Sequence, residues 1–368
     1  MALTVHKREE PMGWGAPVVY LCALALSLGL CALMLILAGK PALGGLFMLF
    51  RGAFGQGHSL LDALIKAIPI FLCSLGVALC FRMQIWNIGA EGQFALGAVG
   101  ATWAALTFGT LPGVVLLPQM FLSALVLGAL WGLIPAVLRL RLGVNEIISS
   151  LMLNYVGILV LEYLVFGAWK DPASFGFPMT SEFPPAALIA RIWPGWLGKL
   201  HWGLIACPLA GVAYSVFLNR TRLGFELAAC GEGERVARYA RLPYGFLVLL
   251  VMGLGGALSG LAGSIETSAT LGRLQPTLMV GYGYTAIVVA WLARLKPWPI
   301  AFTAFLLAAL RVGVEAMQLE LQIPAAFGQI MEGAILLCVL AGQFFLAYSV
   351  SLKRPRTGPP AQVAEARP

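Results

Sequence analysis

The chain has 368 residues, of which 60% are hydrophobic and 11% charged, with a mean hydropathy of +0.88 and a net charge of +8. Soluble domains carry roughly 25% charged residues, so a soluble globular protein is excluded and an integral membrane protein is indicated. Apolar runs recur to the C-terminal end, which leaves no room for a separate soluble domain.

These runs are continuous, a pattern of helices and not of the alternating strands of a membrane barrel. The expectation is an all-α membrane protein of about ten transmembrane helices, with a membrane domain over 16–348. Residues 1–15, containing "HKREE", precede the first span as a cytoplasmic N-terminal tail. The spans are predicted at 16–38, 60–82, 87–108, 113–138, 146–168, 202–219, 244–267, 277–294, 298–317 and 325–348. The uncharged stretch Pro11–Gly39 is too long for a signal-peptide core of roughly 7 to 15 residues and reads as a retained helix. An external loop over 169–201 is rich in Pro and aromatics, a cytoplasmic loop covers 220–243, and the Pro-rich end, 349–368, reads as a disordered cytoplasmic tail.

Lysine and arginine set the orientation. Sixteen of the 24 fall in segments that share one side if the N-terminus is inside, against six on the other side. Both termini are therefore expected in the cytoplasm of the inner (plasma) membrane, and the positive charge is a topology signal. No basic stripe interleaved with aromatics supports nucleic-acid binding. Three scattered histidines and seven cysteines without CxxC spacing give no metal site, and no cofactor is indicated. Cys230 alone among the cysteines lies outside the spans, and it is expected to be reachable from the cytoplasm.

Spans two to five and seven to ten form two four-helix blocks of opposite orientation, as in the inverted repeats of transporters. "NIGAEG" opens the second helix of one block, and "VGYGY", with Gly281 and Gly283, opens the second helix of the other. Glycine-interrupted segments at matching places point to a pathway.

"WNIGAEGQF" places Glu91 inside the membrane. One reading makes it scaffold: Asn87 caps the helix and Glu91 sits near a helix N-terminus, where the dipole favours an anion. The other makes Glu91 and Gln93 the lining of a polar cavity, since intramembrane acids face the bundle interior. Glu146, Ser150 and Asn154, spaced i, i+4, i+8, share one face of the fifth helix, and they too are either interhelical glue or pathway. Tyr282 and Tyr284, across the cavity from Glu91, are candidate stacking surfaces. "GLGGALSGLAGS" has small residues at Gly256, Gly260, Ser259 and Gly263 that predict a close helix contact. Asp62 with Lys66, and Arg311 with Glu315, are i, i+4 pairs expected to neutralise each other. No GxxxxGK[ST] loop, HExxH or GxSxG occurs, so the chain is not read as an enzyme and cannot hydrolyse ATP alone.

The stretches "FRMQIWNIGAEGQFALGA", "GVNEIISSLMLNYV", "LAACGEGERVARYARLP", "GALSGLAGSIE" and "GYGYTAIVVAWLARLKP" resemble, over about residues 60–345, permease subunits of bacterial ABC importers. The family is the branched-chain amino acid and ribose permease superfamily, and the likeness is greatest to its nucleoside-type branch, which works with a lipoprotein of the basic membrane protein class. The cytoplasmic loop departs from that family's usual "RAVGENPEAARYAGI", with Cys230, Gly233 and Arg241 at altered places. The resemblance implies a transport subunit that forms a pathway with a second permease subunit. A solute-binding lipoprotein would deliver substrate outside and an ABC ATPase would act from inside, seated on a coupling helix with Glu232, Glu234, Arg235, Arg238 and Arg241. The substrate implied is a nucleoside or similar small polar metabolite. Sugars or branched-chain amino acids are the alternative, and an ion-coupled secondary transporter is a third reading.

Overall fold

The computed structural model describes residues 2–7, 15–193, 195 and 198–353. Residues 8–14 of the predicted N-terminal tail and 354–368 of the predicted C-terminal tail lie outside the described residues. The chain divides into two compact units, one built from its two ends, through Leu46 and from Gln329, and the other from Phe47–Gly328.

The terminal unit contains α1 (Gly15–Leu37) and most of α13 (Ala325–Ala347). Gly342 of α13 lies so close to α1 that a β-carbon there would meet that of Ala23 at 3.0 Å. Within the terminal segments β1 (Ala2–Lys7) pairs antiparallel to β2 (Tyr348–Lys353). In this register Leu3 stands opposite Leu352 and Val5 opposite Val350. Apart from this ribbon the fold is helical, as expected.

The larger unit holds α3 (Gly57–Arg82), α4 (Ala90–Thr107), α5 (Gly113–Leu142), α6 (Glu146–Phe166) and α7 (Ala206–Arg220). The short helices α8 (Arg222–Cys230) and α9 (Glu234–Tyr239) follow, then α10 (Tyr244–Ile265), α11 (Tyr282–Leu292) and α12 (Pro297–Leu321). Seven described helical stretches are long and apolar enough to cross a bilayer. An unpredicted helix, α2 (Ala42–Phe54), occupies part of the first expected external loop and carries Arg51. Its glycine Gly52 lets it sit against Gly313 and Ala316 of α12.

The glycine stripe of α10 makes the predicted close contact. Gly256 and Gly260 face Gly128 of α5, Gly260 also faces Gly97 of α4, and Gly263 lies on the backbone of Phe94 and Ala98. With no side chain between them, these backbones approach closely enough for dispersion to hold the bundle where lipid offers no hydrophobic drive.

Contacts sort the loops of this unit to two ends. At the first, Arg82 Nη2 donates to the Leu295 carbonyl (3.3 Å), Tyr214 Oη donates to the same carbonyl (3.1 Å), and Arg139 Nη2 donates to Tyr244 Oη (3.2 Å). At the second, Thr180 N–H donates to Leu274 O (3.1 Å) and Phe183 N–H to Gly272 O (2.9 Å), laying the long loop 169–201 over the end of α10.

Two expected helical pairs are corrected. Lys66 of α3 pairs with Glu315 of α12, not with Asp62, and Glu315 is thereby not the partner of Arg311. α3 packs along α12, so an interhelical partner displaces the i, i+4 one. Cys230 is also corrected: it is 1% exposed, and burial, with Glu226 nearby, raises its thiol above the ordinary range, so it is not an open thiol.

Two outcomes follow. Gly260→Val should lower the thermal midpoint of the detergent-solubilised protein, since overpacking costs about 1–3 kcal/mol, whereas Gly253→Ala, whose β-carbon meets only Leu133 at 3.5 Å, should not. If the first end is cytoplasmic, as the excess of Lys and Arg in its loops predicts, Tyr239→Cys, at a position 93% exposed, should react with an impermeant maleimide only in inside-out vesicles, with native Cys230 silent. Labelling of that variant in right-side-out vesicles would reverse the orientation.

Candidate functional site at two interior helix ends

After Arg82 the chain does not leave the bundle. Residues 83–89 turn back along α3, with Ile85 N–H donating to Cys80 O (3.1 Å), and Asn87 Nδ2 comes within 3.5 Å of a β-carbon built on Gly255. Gly255 is about 16 Å along α10 from Tyr244 at 1.5 Å per residue. α4 therefore begins in the interior. On the opposite side, α10 runs into a π-helical turn, Glu266–Leu271, and a 3-10 turn, Pro276–Leu278, before α11 begins at Gly281. A β-carbon on Gly283 would strike the backbone of Ala90 and Glu91. The two helices thus start at the same depth, entered from opposite ends, and neither is among the seven described stretches long and apolar enough to cross a bilayer.

A helix start leaves backbone N–H groups without intrahelical partners, and the bilayer has no water to satisfy them. Glu91 answers this for α11: its Oε1 accepts from Gly281 N–H (2.9 Å) and its Oε2 from Gly283 N–H (2.6 Å). The carboxylate is 1% exposed and sits at the positive end of the α11 dipole. Gly281 has φ +87°, a left-handed conformation open to glycine, and so lets the chain turn its N–H toward Glu91.

The stripe on α6 answers it for the segment leading into α4. Glu146 Oε1 accepts from Trp86 N–H (3.4 Å), Ser150 Oγ from Ile88 N–H (3.2 Å), and Asn154 Oδ1 from Gly92 N–H (2.8 Å), while Asn154 Nδ2 donates to Ile88 O (2.7 Å). Helical spacing of four therefore matches a run of backbone donors on the facing segment. Asn87 Oδ1 accepts from Gly89 N–H (3.0 Å), and Asn87 and Gln93 join their side-chain amides in both directions at 3.2 and 3.1 Å. Glu146 also pairs with Arg139, which ties the stripe to the first end of the unit.

Of the residues singled out from sequence, Asn87, Glu91, Gln93, Glu146, Asn154, Tyr282 and Tyr284 converge on this centre, and all but Tyr284 are less than 10% exposed. Tyr282 stacks edge-on against Phe94 (5.9 Å between centroids) and lies beneath the Arg311 guanidinium at 5.2 Å. Arg311 Nη2 also donates to Thr285 Oγ1 (3.4 Å). Tyr284 is 36% exposed, with Asn154 Nδ2 3.4 Å from its hydroxyl.

Sequence reading missed the aromatic group beside this centre. Trp86 and Trp291 stack at 5.5 Å with 27° between planes, and Phe81 lies 5.0 Å from Trp86 and 5.8 Å from Trp291. Trp86 adjoins "NIGAEG" and Trp291 lies seven residues after Tyr284, two turns along the same helix face, which was the available signal.

The second predicted site is separate. α8 and α9 stand at the arginine-rich end, with Arg235, Arg238 and Arg241 exposed and Arg238 Nη2 donating to Glu234 Oε1 at 2.6 Å. Glu232 is also exposed. Val236 (45%) and Tyr239 (93%) are exposed between the arginines. Gly233, at φ +134°, makes the break between α8 and α9.

Residues 59–340 match the family model described as the branched-chain amino acid transport system / permease component. A glucose ABC transporter permease protein of Haloferax volcanii is 35% identical, covering 94% of this chain and 92% of its own. A guanosine ABC transporter permease protein of Bacillus subtilis is 29% identical over 88% and 92%, and a nucleoside ABC transporter permease protein of Lactococcus lactis 27% identical over 87% and 89%. The re-entrant helix starts, the small-residue helix contacts and this match over most of the chain agree, and the chain belongs to the ABC transporter permease family of the branched-chain amino acid type.

Proposed function

We propose that the chain forms one wall of the translocation pathway of an ABC importer for nucleosides or similar small polar metabolites, and that Tyr284, Trp291 and Trp86 face the substrate while Asn87, Glu91, Gln93, Glu146, Asn154 and Tyr282 hold that wall in place. The carrying observation is the difference in exposure: Asn87, Glu91, Gln93, Glu146 and Asn154 are buried and bonded to backbone or to one another, Tyr282 is buried, and Tyr284, Trp291 and Trp86 are open. Aromatic faces stack on bases without reading their edges. Relatives named for guanosine and for nucleosides support this substrate class. The relative named for glucose is the specific observation behind a second reading, a sugar permease.

In this reading a second permease subunit completes the pathway, and a solute-binding lipoprotein docks on the external loop 169–201, where Phe175 is 97% and Phe177 64% exposed. An ABC ATPase seats on α8–α9. Energy from ATP reaches the chain only through a cytoplasmic surface, and this surface combines cations, carboxylates and exposed apolar side chains. The ion-coupled reading loses its support, because the relatives named above are all ABC permeases.

Uptake of radiolabelled guanosine against labelled glucose, in cells expressing the complete transporter, tests the substrate. Tyr284→Ala should leave assembly intact and reduce uptake about tenfold, since stacking is worth about 1–3 kcal/mol per base. Undiminished uptake would remove Tyr284 from the pathway. Glu91→Gln should instead lower expression and thermal stability, because an amide has one acceptor oxygen for two buried donors and an unsatisfied one costs about 1–3 kcal/mol. For coupling, Arg235→Glu and Arg238→Glu should each weaken co-purification of the ATPase and stop transport in proteoliposomes. The second also sets two carboxylates at i, i+4. Unchanged assembly and uptake in both would overturn the docking assignment.

A further inference from the structure

α7 is the least buried of the long helices: within 202–220 only Gly203 and Tyr214 are buried. It stands off α3 and α12 and leaves a groove of about 670 Å³ between the three helices. Its walls are apolar, with Ile68 and Phe71 from α3, Val212 and Val216 from α7, and Ala301 and Phe305 from α12. Leu204 and Arg220, the first and last α7-side residues lining it, are 16 positions apart, about 24 Å along a helix. An empty apolar groove of that size at the lipid-facing side of a bundle would forfeit the contacts of its whole lining.

The ends of the groove differ. One end is apolar, at Leu204 and Cys207, and the other holds Asn219 and Arg220 beside Trp298, which is 82% exposed. Lys296 directly precedes Pro297, another lining residue. Neither Arg220 nor Lys296 makes an ion pair among the described residues, although the neighbouring Arg222 pairs with Glu226. A long apolar slot that ends in uncompensated cations and a tryptophan at the arginine-rich end has the amphiphilic order of a lipid: acyl chain, interface, phosphate. Basic pockets between helices on the cytoplasmic side bind anionic headgroups, and tryptophan marks the interface depth.

We propose that this groove is a binding site for one anionic phospholipid of the inner leaflet, its acyl chain along α7 and its phosphate at Arg220, with Lys296 beside it. The lipid fills the slot between α7 and the α3–α12 pair and so fixes the helix from which α8 and α9 hang.

The test uses the full chain purified from membranes and reconstituted into nanodiscs of phosphatidylcholine with or without phosphatidylglycerol, with retained lipid counted by native mass spectrometry. The expected result is one retained phosphatidylglycerol, preferred about tenfold over phosphatidylcholine. Arg220→Gln, an exposed and conservative change, should abolish that preference while either lipid is still retained. Gly211→Leu with Ser215→Leu should fill the slot and abolish retention, and Gly211 has room, since a β-carbon there meets only Phe71 at 3.4 Å. Equal retention of the two lipids by the unmodified chain, or an unchanged preference in Arg220→Gln, would overturn the proposal. So would a Val212→Cys variant that crosslinks to another protein subunit, because protein and not lipid would then cover the groove.

Discussion

A single carboxylate joins the two halves of the bundle. Backbone N–H groups inside a bilayer have no water to bond, so a helix can begin there only if protein supplies acceptors. Glu91 supplies both its oxygens to α11, from the first turn of α4, and the backbones meet at Gly283 because no side chain intervenes. Each helix start thus depends on the other: α4 must be placed for Glu91 to reach α11, and α11 must be placed for Glu91 to be bonded. α4 in turn is held by Ser150 and Asn154 of α6. A fault at this junction leaves charged and polar groups unpaired in hydrocarbon, a far larger cost than the tenths of a kcal/mol that typical interhelical hydrogen bonds contribute.

This junction is physically continuous with the arginine-rich end. Gly231, which closes α8, lies on the Arg82 carbonyl, and Arg82 begins the segment that turns inward to Asn87 and Glu91. The Arg82 side chain donates through Nη2 to the carbonyl of Leu295, just after α11, and Tyr214 of α7 reaches the same carbonyl. A displacement of α8–α9 therefore bears directly on the segment entering α4 and on the one leaving α11. A close-packed interior transmits such strain, and of the aromatic group Trp86 lies on the first of these segments and Trp291 in the last turn of α11, just before the second.

Much of this was legible in the sequence, and the failures have physical causes. Hydropathy located every long helix, because twenty apolar residues have few other fates. The spacing of Glu146, Ser150 and Asn154 located their common face, and the small-residue stripe of α10 located the tightest contact. Hydropathy could not see that α4 and α11 start inside, since a re-entrant segment such as "MQIWNIG" is nearly as apolar as a span. Nor could it tell scaffold from pathway at Glu91, whose partners Gly281 and Gly283 are 190 and 192 positions away. The ion pairs failed for the same reason: Lys66 and Glu315 are separated by 249 positions, and local spacing proposes only local partners. α2 was missed because thirteen residues with an arginine look like a loop to a span-length criterion, and the terminal ribbon because six-residue strands fall below it.

The allocation of polar groups also bears on how such a wall selects its cargo. Strong discrimination requires buried donors and acceptors left open for the ligand, so that a wrong ligand leaves them unpaired. Around Glu91 those groups are already taken up: Asn87 and Gln93 bond each other, and Glu91, Ser150 and Asn154 bond backbone. What remains exposed is aromatic surface with the Tyr284 hydroxyl at its edge. Such a surface holds planar or ring-shaped solutes through their faces and reads few of their substituents. If that aromatic surface lines the pathway as proposed, the residues that make the fold possible in the membrane are unavailable for recognition, and selection would fall to whatever delivers the solute. Such a division of labour would let one permease architecture serve relatives named for solutes as different as glucose and guanosine.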